Sequence, residues 1–236
     1  MIRVALAAAA VAALTQCAAP SAPPIEATPT PRTPPPAITS PPAGEPPRRE
    51  SLPATVHPVT AAELGATWRP GCPLGPERLR RVDLDHLGFD AENHRGSLVV
   101  HEDLVAETIE IFAQLRAMDF PIERMQTADH YPGADDELSM RDNNTSAFNC
   151  RDIPGTGRWS EHAYGRAIDI NPQLNPYIDA RGGFQPANAG LYVDRDRIDP
   201  GLLHDGDPAV LAFTDRGWRW GGRWRSPIDY QHFERP

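Results

Sequence analysis

Two stretches, Ser160-Glu161-His162-Ala163-Tyr164-Gly165-Arg166-Ala167-Ile168-Asp169 and, further along, Asp229-Tyr230-Gln231-His232, decide how the rest of the chain is read. Ala167 to Ile170 alternates small or apolar residues with Asp169 and reads as a strand that Asn171-Pro172 ends. Gly165 allows a sharp turn before that strand, so a loop histidine, His162, and a strand aspartate, Asp169, can reach one point. Tyr230 to Glu234 is expected to pair as an antiparallel strand with Trp218 to Trp220, joined across Gly221-Gly222 and Ser226-Pro227. Side chains alternate along a strand, so Asp229 and His232 would face opposite ways on one strand, and Asp229 is placed on the bend before it. His162, Asp169 and His232 make the N/O ligand set of a single catalytic zinc ion, which keeps three protein ligands and leaves a fourth position open. Asp229 is the spare carboxylate, a general base by position. The plainer readings are a loop histidine paired with an aspartate, and Asp229 fixing a histidine tautomer. Glu234 and Glu161 are the competing bases.

Working outward, Gly96 to Val100 is a short apolar strand leading into a helix from about Glu102 to Met118. That helix is acidic in its first turn and carries an apolar stripe of Leu104, Val105, Ile109, Phe112, Leu115 and Met118. Phe120-Pro121 breaks it, and Ile122 to Thr127 reads as another strand. Residues 129–158 and 173–205 are polar and turn-rich, hence loop. Asp207-Pro208 opens a helix that Gly217 closes. The whole reads as an α+β domain of one core, a small antiparallel sheet carrying the metal site, flanked by helices and long loops. Trp220 and Phe233 belong inside it, with Trp224 or Tyr230 beside a groove. The other six histidines have no partner at ligand spacing. An acidic alternative, a calcium site at Asp135, Asp136 and Asp142, lacks the EF-hand pattern.

Residues 1–17 have the charged start, short apolar run and small-residue exit of a secretory signal. Leu14-Thr15-Gln16-Cys17 also resembles a lipobox, which makes Cys17 a lipidation candidate and offers a membrane tether through an N-terminal lipid. Residues 18–60 are dominated by Pro, Ala, Thr and Ser and form a solvated linker, leaving 61–236 as the folded domain. A net charge of −9 argues against nucleic acid as partner. In an exported domain the two remaining cysteines, Cys72 and Cys150, favour a disulfide; free buried thiols are the alternative, and a Cys-based metal site would need closer spacing. The chain is read as a monomer.

The pattern Ser160-x-His162-x-x-Gly165-x-Ala167-x-Asp169 with Asp229-x-x-His232 resembles the zinc D-alanyl-D-alanine peptidases, a group that includes carboxypeptidases, dipeptidases and L-alanyl-D-glutamate endopeptidases. The likeness continues through Gly217-Trp218-Arg219-Trp220-Gly221-Gly222-Arg223-Trp224. It implies one Zn²⁺ on His162, Asp169 and His232, Asp229 as base, and Ser160 and Gly165 as supports of the local turn. It also implies a peptidoglycan stem peptide as substrate, and an address in the bacterial cell envelope, lipid-anchored or secreted. A non-catalytic, zinc-containing wall-binding module is the alternative. One feature departs from the family. Where its members carry an arginine after the strand before the motif, this chain has Thr127-Ala128-Asp129-His130. Arg151 is the substitute expected to stabilise the oxyanion, with Arg141 and His130 behind it.

Overall fold

The computed structural model describes residues 52–236. The signal segment with Cys17, and the linker up to residue 51, lie outside the described residues. The sheet begins inside the expected linker. β1 (Thr55–Pro58) pairs antiparallel with β2 (Leu79–Leu87), so the fold starts before residue 61. Between them Thr60 and Glu63 form a capping box on the one-turn helix α1 (Ala61–Leu64). β2 pairs along its length with β3 (Asn93–His101), giving the order β1-β2-β3. β3 is longer than the Gly96–Val100 strand expected, because β2 supplies a partner for every residue of it. The alternation Val82-Asp83-Leu84-Asp85, with Val82 and Leu84 buried, is the pattern that makes β2 a strand.

A 3-10 turn (Glu102–Leu104) leads into α2 (Val105–Ala117), as the apolar stripe predicts. Leu104, Ile111, Phe112 and Leu115 are buried, while Val105, Ile109 and Met118 pack on the rim of the same core. The segment after it is less loop-like than its composition implies. β4 (Arg124–Met125) runs parallel to β5 (Asn144–Thr145), with the short helix α3 (Asp136–Arg141) between them. β6 (Asp152–Ile153) and β7 (Arg158–Trp159) then form a small hairpin. The C-terminal part adds β8 (Ala167–Asp169), β9 (Tyr177–Ile178), β10 (Phe184–Gln185) and α4 (Pro208–Thr214). It ends with β11 (Arg219–Trp220), β12 (Ile228–Asp229) and β13 (His232–Glu234). Two three-stranded sheets result, β11-β13-β8 and β10-β9-β12. Mixed helices and small antiparallel sheets are thus the architecture.

Phe233, central in β13, is fully buried and stacks on Phe213 of α4 at 4.0 Å between ring centroids. Trp220 packs beside it, and both belong to the core, as expected; Trp218 joins them, its indole N–H donating to Glu107 of α2. This packing fixes the backs of β8 and β13, so their other face is free to carry polar groups. A second core of Val59, Leu64, Leu79, Val99 and Phe148 surrounds the Cys72–Cys150 disulfide. The bridge closes a loop across a sequence separation of 78. Replacing both cysteines by serine is expected to remove about 2–4 kcal/mol of stability. At about 2–4 °C per kcal/mol, calorimetry should record a melting point lower by roughly 4–16 °C.

Candidate metal centre

Strand register builds the site. β13 pairs with β8 so that His232 lies directly opposite Asp169, and cross-strand partners share a face. The Ile170 N–H donates to the Gln231 carbonyl, which makes His232 and Asp169 a non-hydrogen-bonded pair, the closer kind. His232 Nδ1 stands 3.0 Å from Asp169 Oδ1. His162 arrives from the other side. It sits in a 3-10 turn (Glu161–Tyr164) rather than in an open loop, with Ser160 as its N-cap, whose Oγ accepts from the His162 N–H. Gly165 ends the turn in the left-handed conformation, φ 63°. A Cβ there would come within 2.7 Å of the His101 nitrogen, so glycine is required by both dihedral and space. His162 Nε2 then lies 3.1 Å from Asp169 Oδ2 and 3.2 Å from His232 Nδ1.

These three residues are the one group among the described residues whose His, Cys, Asp or Glu donor atoms could hold a metal ion, all within 4.8 Å of one another. The outer hydrogen bonds aim them. His162 Nδ1 faces the Ala147 carbonyl, which can only accept, so Nδ1 carries a proton and Nε2 is the nitrogen turned toward Asp169 and His232. His232 Nε2 faces Glu234 Oε2 at 3.4 Å, and the other Glu234 oxygen is held by Arg219 Nη2 at 3.0 Å. Arg219 and Glu234 are opposite one another in the β11–β13 register. Glu234 is therefore the partner that orients His232, and it points away from the role of competing base.

Charge follows the same geometry. Burial disfavours the ionised Asp169 carboxyl, but His162 and His232 outweigh it and hold it well below the usual carboxylate range. Burial pushes the His232 imidazole down, yet hydrogen bonds to Asp169 and Glu234 raise it to about 10. Asp229 is the contrary case. Burial, with Asp169 adding to it, pushes its carboxyl up to about 6. It belongs to β12, in the sheet beside the ligands, instead of to a bend leading into β13. Gly221 packs against it so closely that a Cβ would meet the Asp229 carbonyl at 2.6 Å. Asp229 Oδ1 is buried and has no hydrogen-bond partner, an unspent acceptor beside three convergent donors.

Arg151 is drawn into this neighbourhood. Its guanidinium is ion-paired with Asp136 of α3 at 3.0 Å and feels Asp169 and Asp229 next. The expected surface partner Asp152 is a lesser influence. The other substitutes have different surroundings. Arg141 lines a separate hollow with Phe89, Glu123 and Tyr192, and His130 packs edge-on against Tyr131. The acids of the calcium alternative are already engaged. Asp135 caps α3, Asp136 holds Arg151, and Asp142 binds Arg124 and Tyr131. Trp224 flanks the cluster, its ring 5.4 Å from that of His232, whereas Tyr230 lies under the Arg195 guanidinium at 4.2 Å. Tyr177, which the sequence did not single out, is the cross-strand partner of Asp229 and so stands on its face.

Residues 154–235 match the D-alanyl-D-alanine carboxypeptidase family. This is a zinc-dependent peptidase family, and the matched segment holds His162, Asp169, Asp229 and His232 together. Arg151, both disulfide cysteines and Asp136 precede it. No curated protein and no solved structure gives a significant match to the chain.

Proposed function

We propose that the chain is an exported zinc peptidase that hydrolyses peptidoglycan stem peptides beside a D-amino acid, as a D-alanyl-D-alanine carboxypeptidase does. The observation that carries this reading is the convergence of His162 Nε2, His232 Nδ1 and an Asp169 oxygen within 4.8 Å, inside the family segment that also holds Asp229, whose buried Oδ1 has no hydrogen-bond partner. Two imidazoles and a carboxylate match zinc in softness and number, and the fixed tautomer of His162 suits a metal on Nε2. A bound zinc ion would polarise the scissile carbonyl and bring the pKa of a coordinated water down to about 7. The protein's own residues do the rest. Asp229 accepts the proton of the attacking water at its carboxylate and returns it to the nitrogen of the leaving amino acid. Arg151 supplies the fixed positive charge for the carbonyl oxygen as it becomes anionic. The apolar ring of Trp224 covers one flank of His232.

The N-terminal signal and the proline-rich linker support an extracytoplasmic address, either lipid-anchored through Cys17 or secreted. Incubating the purified, zinc-loaded protein with defined muropeptides, and reading the products by mass spectrometry, tests the reading. Loss of a terminal D-alanine is expected; an internal cut would make the chain an endopeptidase, and no product from any stem peptide would overturn the enzymatic reading in favour of a wall-binding module. Glu234→Gln provides a further check, since it weakens the hydrogen bond that orients His232. Zinc affinity should fall about 10–100-fold, measured by competition with a chelating dye.

A further inference from the structure

We propose that Asp136 is the positioning residue that keeps Arg151 aimed at the substrate and off the catalytic carboxylates. The inference rests on the peptidase reading and on the role of Arg151 within it.

After Asp136, the carboxylates of Asp169 and Asp229 act most strongly on the Arg151 guanidinium, and Asp229 is an obvious wrong partner for it. Asp229 Oδ1 is buried and unpaired, and a charge-assisted bond from arginine is among the strongest it could accept. Such a bond would occupy both the base and the arginine. Asp136 competes for the same cation at 3.0 Å. Each side chain of the pair is about one-third exposed or less, 31% and 30%, so the contact is shielded enough to set direction and more than a surface ion pair would.

Both ends of the pair are held. On one side α3 is capped by Asp135, which accepts from the Leu138 N–H. Its flanks are tied by Asn144 Nδ2 to Ser139 Oγ and by Asn149 Nδ2 to the Ala134 carbonyl. On the other side Arg151 follows Cys150, whose sulfur is bridged to Cys72 and whose carbonyl accepts from Arg69. The Arg151 carbonyl itself accepts from the Ser160 N–H, which links the arginine to the residue that starts the His162 turn. With both backbones fixed, the ion pair sets where the guanidinium points. Arg151 is anchored through Nη2, while its buried Nε–H has no partner. A buried donor left unpaired is costly unless something arrives to accept from it. A peptide carbonyl oxygen is an acceptor of the right kind.

The test is a double-mutant cycle on muropeptide hydrolysis with Asp136→Asn, Arg151→Ala and both together, with zinc content measured for each protein. Asp136→Asn is expected to keep one zinc per chain and lose about 10–100-fold in kcat, with a smaller change in KM, because a misplaced positioning group costs on that scale. In the Arg151→Ala background the same substitution should cost less than about two-fold, since the residue through which it acts is gone. Asp136→Glu should recover part of the loss. Equal losses from Asp136→Asn in both backgrounds would overturn the proposal while leaving Arg151 in place. Full activity in Arg151→Ala would instead remove the arginine from the peptidase reading itself, so the two failures are told apart.

Discussion

Replacing Asp229 by asparagine is expected to lower kcat on a D-alanine-terminated muropeptide by about 10³-fold, within the range that a positioned general base contributes. The swap preserves shape, and Asp229 Oδ1 has no hydrogen-bond partner to lose, so the fold should stand. Zinc content should stay at one per chain, because the proposed ligand atoms belong to His162, Asp169 and His232. The pH profile sharpens the test. Burial pushes the Asp229 carboxyl up to about 6, and a base must be ionised to work. Activity should therefore rise with pH on the acid side, with its midpoint at or below about 6, since a bound cation pulls the carboxyl back down. The residual activity of Asp229→Asn should lack that limb. An unchanged kcat would pass the role of base to another carboxylate.

Much of this site was legible because its elements are local. The Ser160-to-Asp169 segment carries its own cap, its own left-handed glycine and its own strand, so spacing alone implies two ligands. His232 was legible through its neighbours, since Trp220 and Phe233 demand burial and leave His232 and Glu234 on the other face of β13. What escaped the sequence is non-local. β2 owes its full length to pairing with β3, and its alternation Val82-Asp83-Leu84-Asp85 is a signal that would have found it. Asp229 sits in a different sheet from His232, three residues away, and no period in four residues encodes a change of sheet. Asp136 and Tyr177 carry no motif. Asp136 meets Arg151 only through the tertiary placement of α3, and Tyr177 faces Asp229 only because β9 pairs with β12. The start of the fold was misplaced for a related reason: Thr55–Pro58 looks like the proline-rich linker in composition and becomes a strand only against β2.

Stripping the metal with a chelator is expected to abolish hydrolysis and to lower the melting point by an amount that grows with pH. The sign follows from the cluster without its ion. His232 is raised from 6.5 to about 10 in the fold, so its stabilising charge is fully present below pH 6.5 and is lost as pH rises through about 10. Asp169 is held below its ordinary 3.8, so its contribution is present above pH 3.8 and is lost as pH falls through its depressed folded value. The metal-free cluster is thus self-satisfied between about pH 4 and 6.5, a buried carboxylate between histidines. Zinc must take the place of the His232 proton, so its affinity should weaken about tenfold for each unit that pH falls below 10. Between pH 8.5 and pH 6 that is a few hundred-fold, or about 3 kcal/mol of zinc-linked stability at fixed free zinc. For a domain of this size the melting-point gap between zinc-loaded and chelator-treated protein should be wider at pH 8.5 by roughly 6–12 °C, read by calorimetry at the two pH values. A gap that does not change with pH would mean that the ion displaces no proton, and would remove His232 from the ligand set.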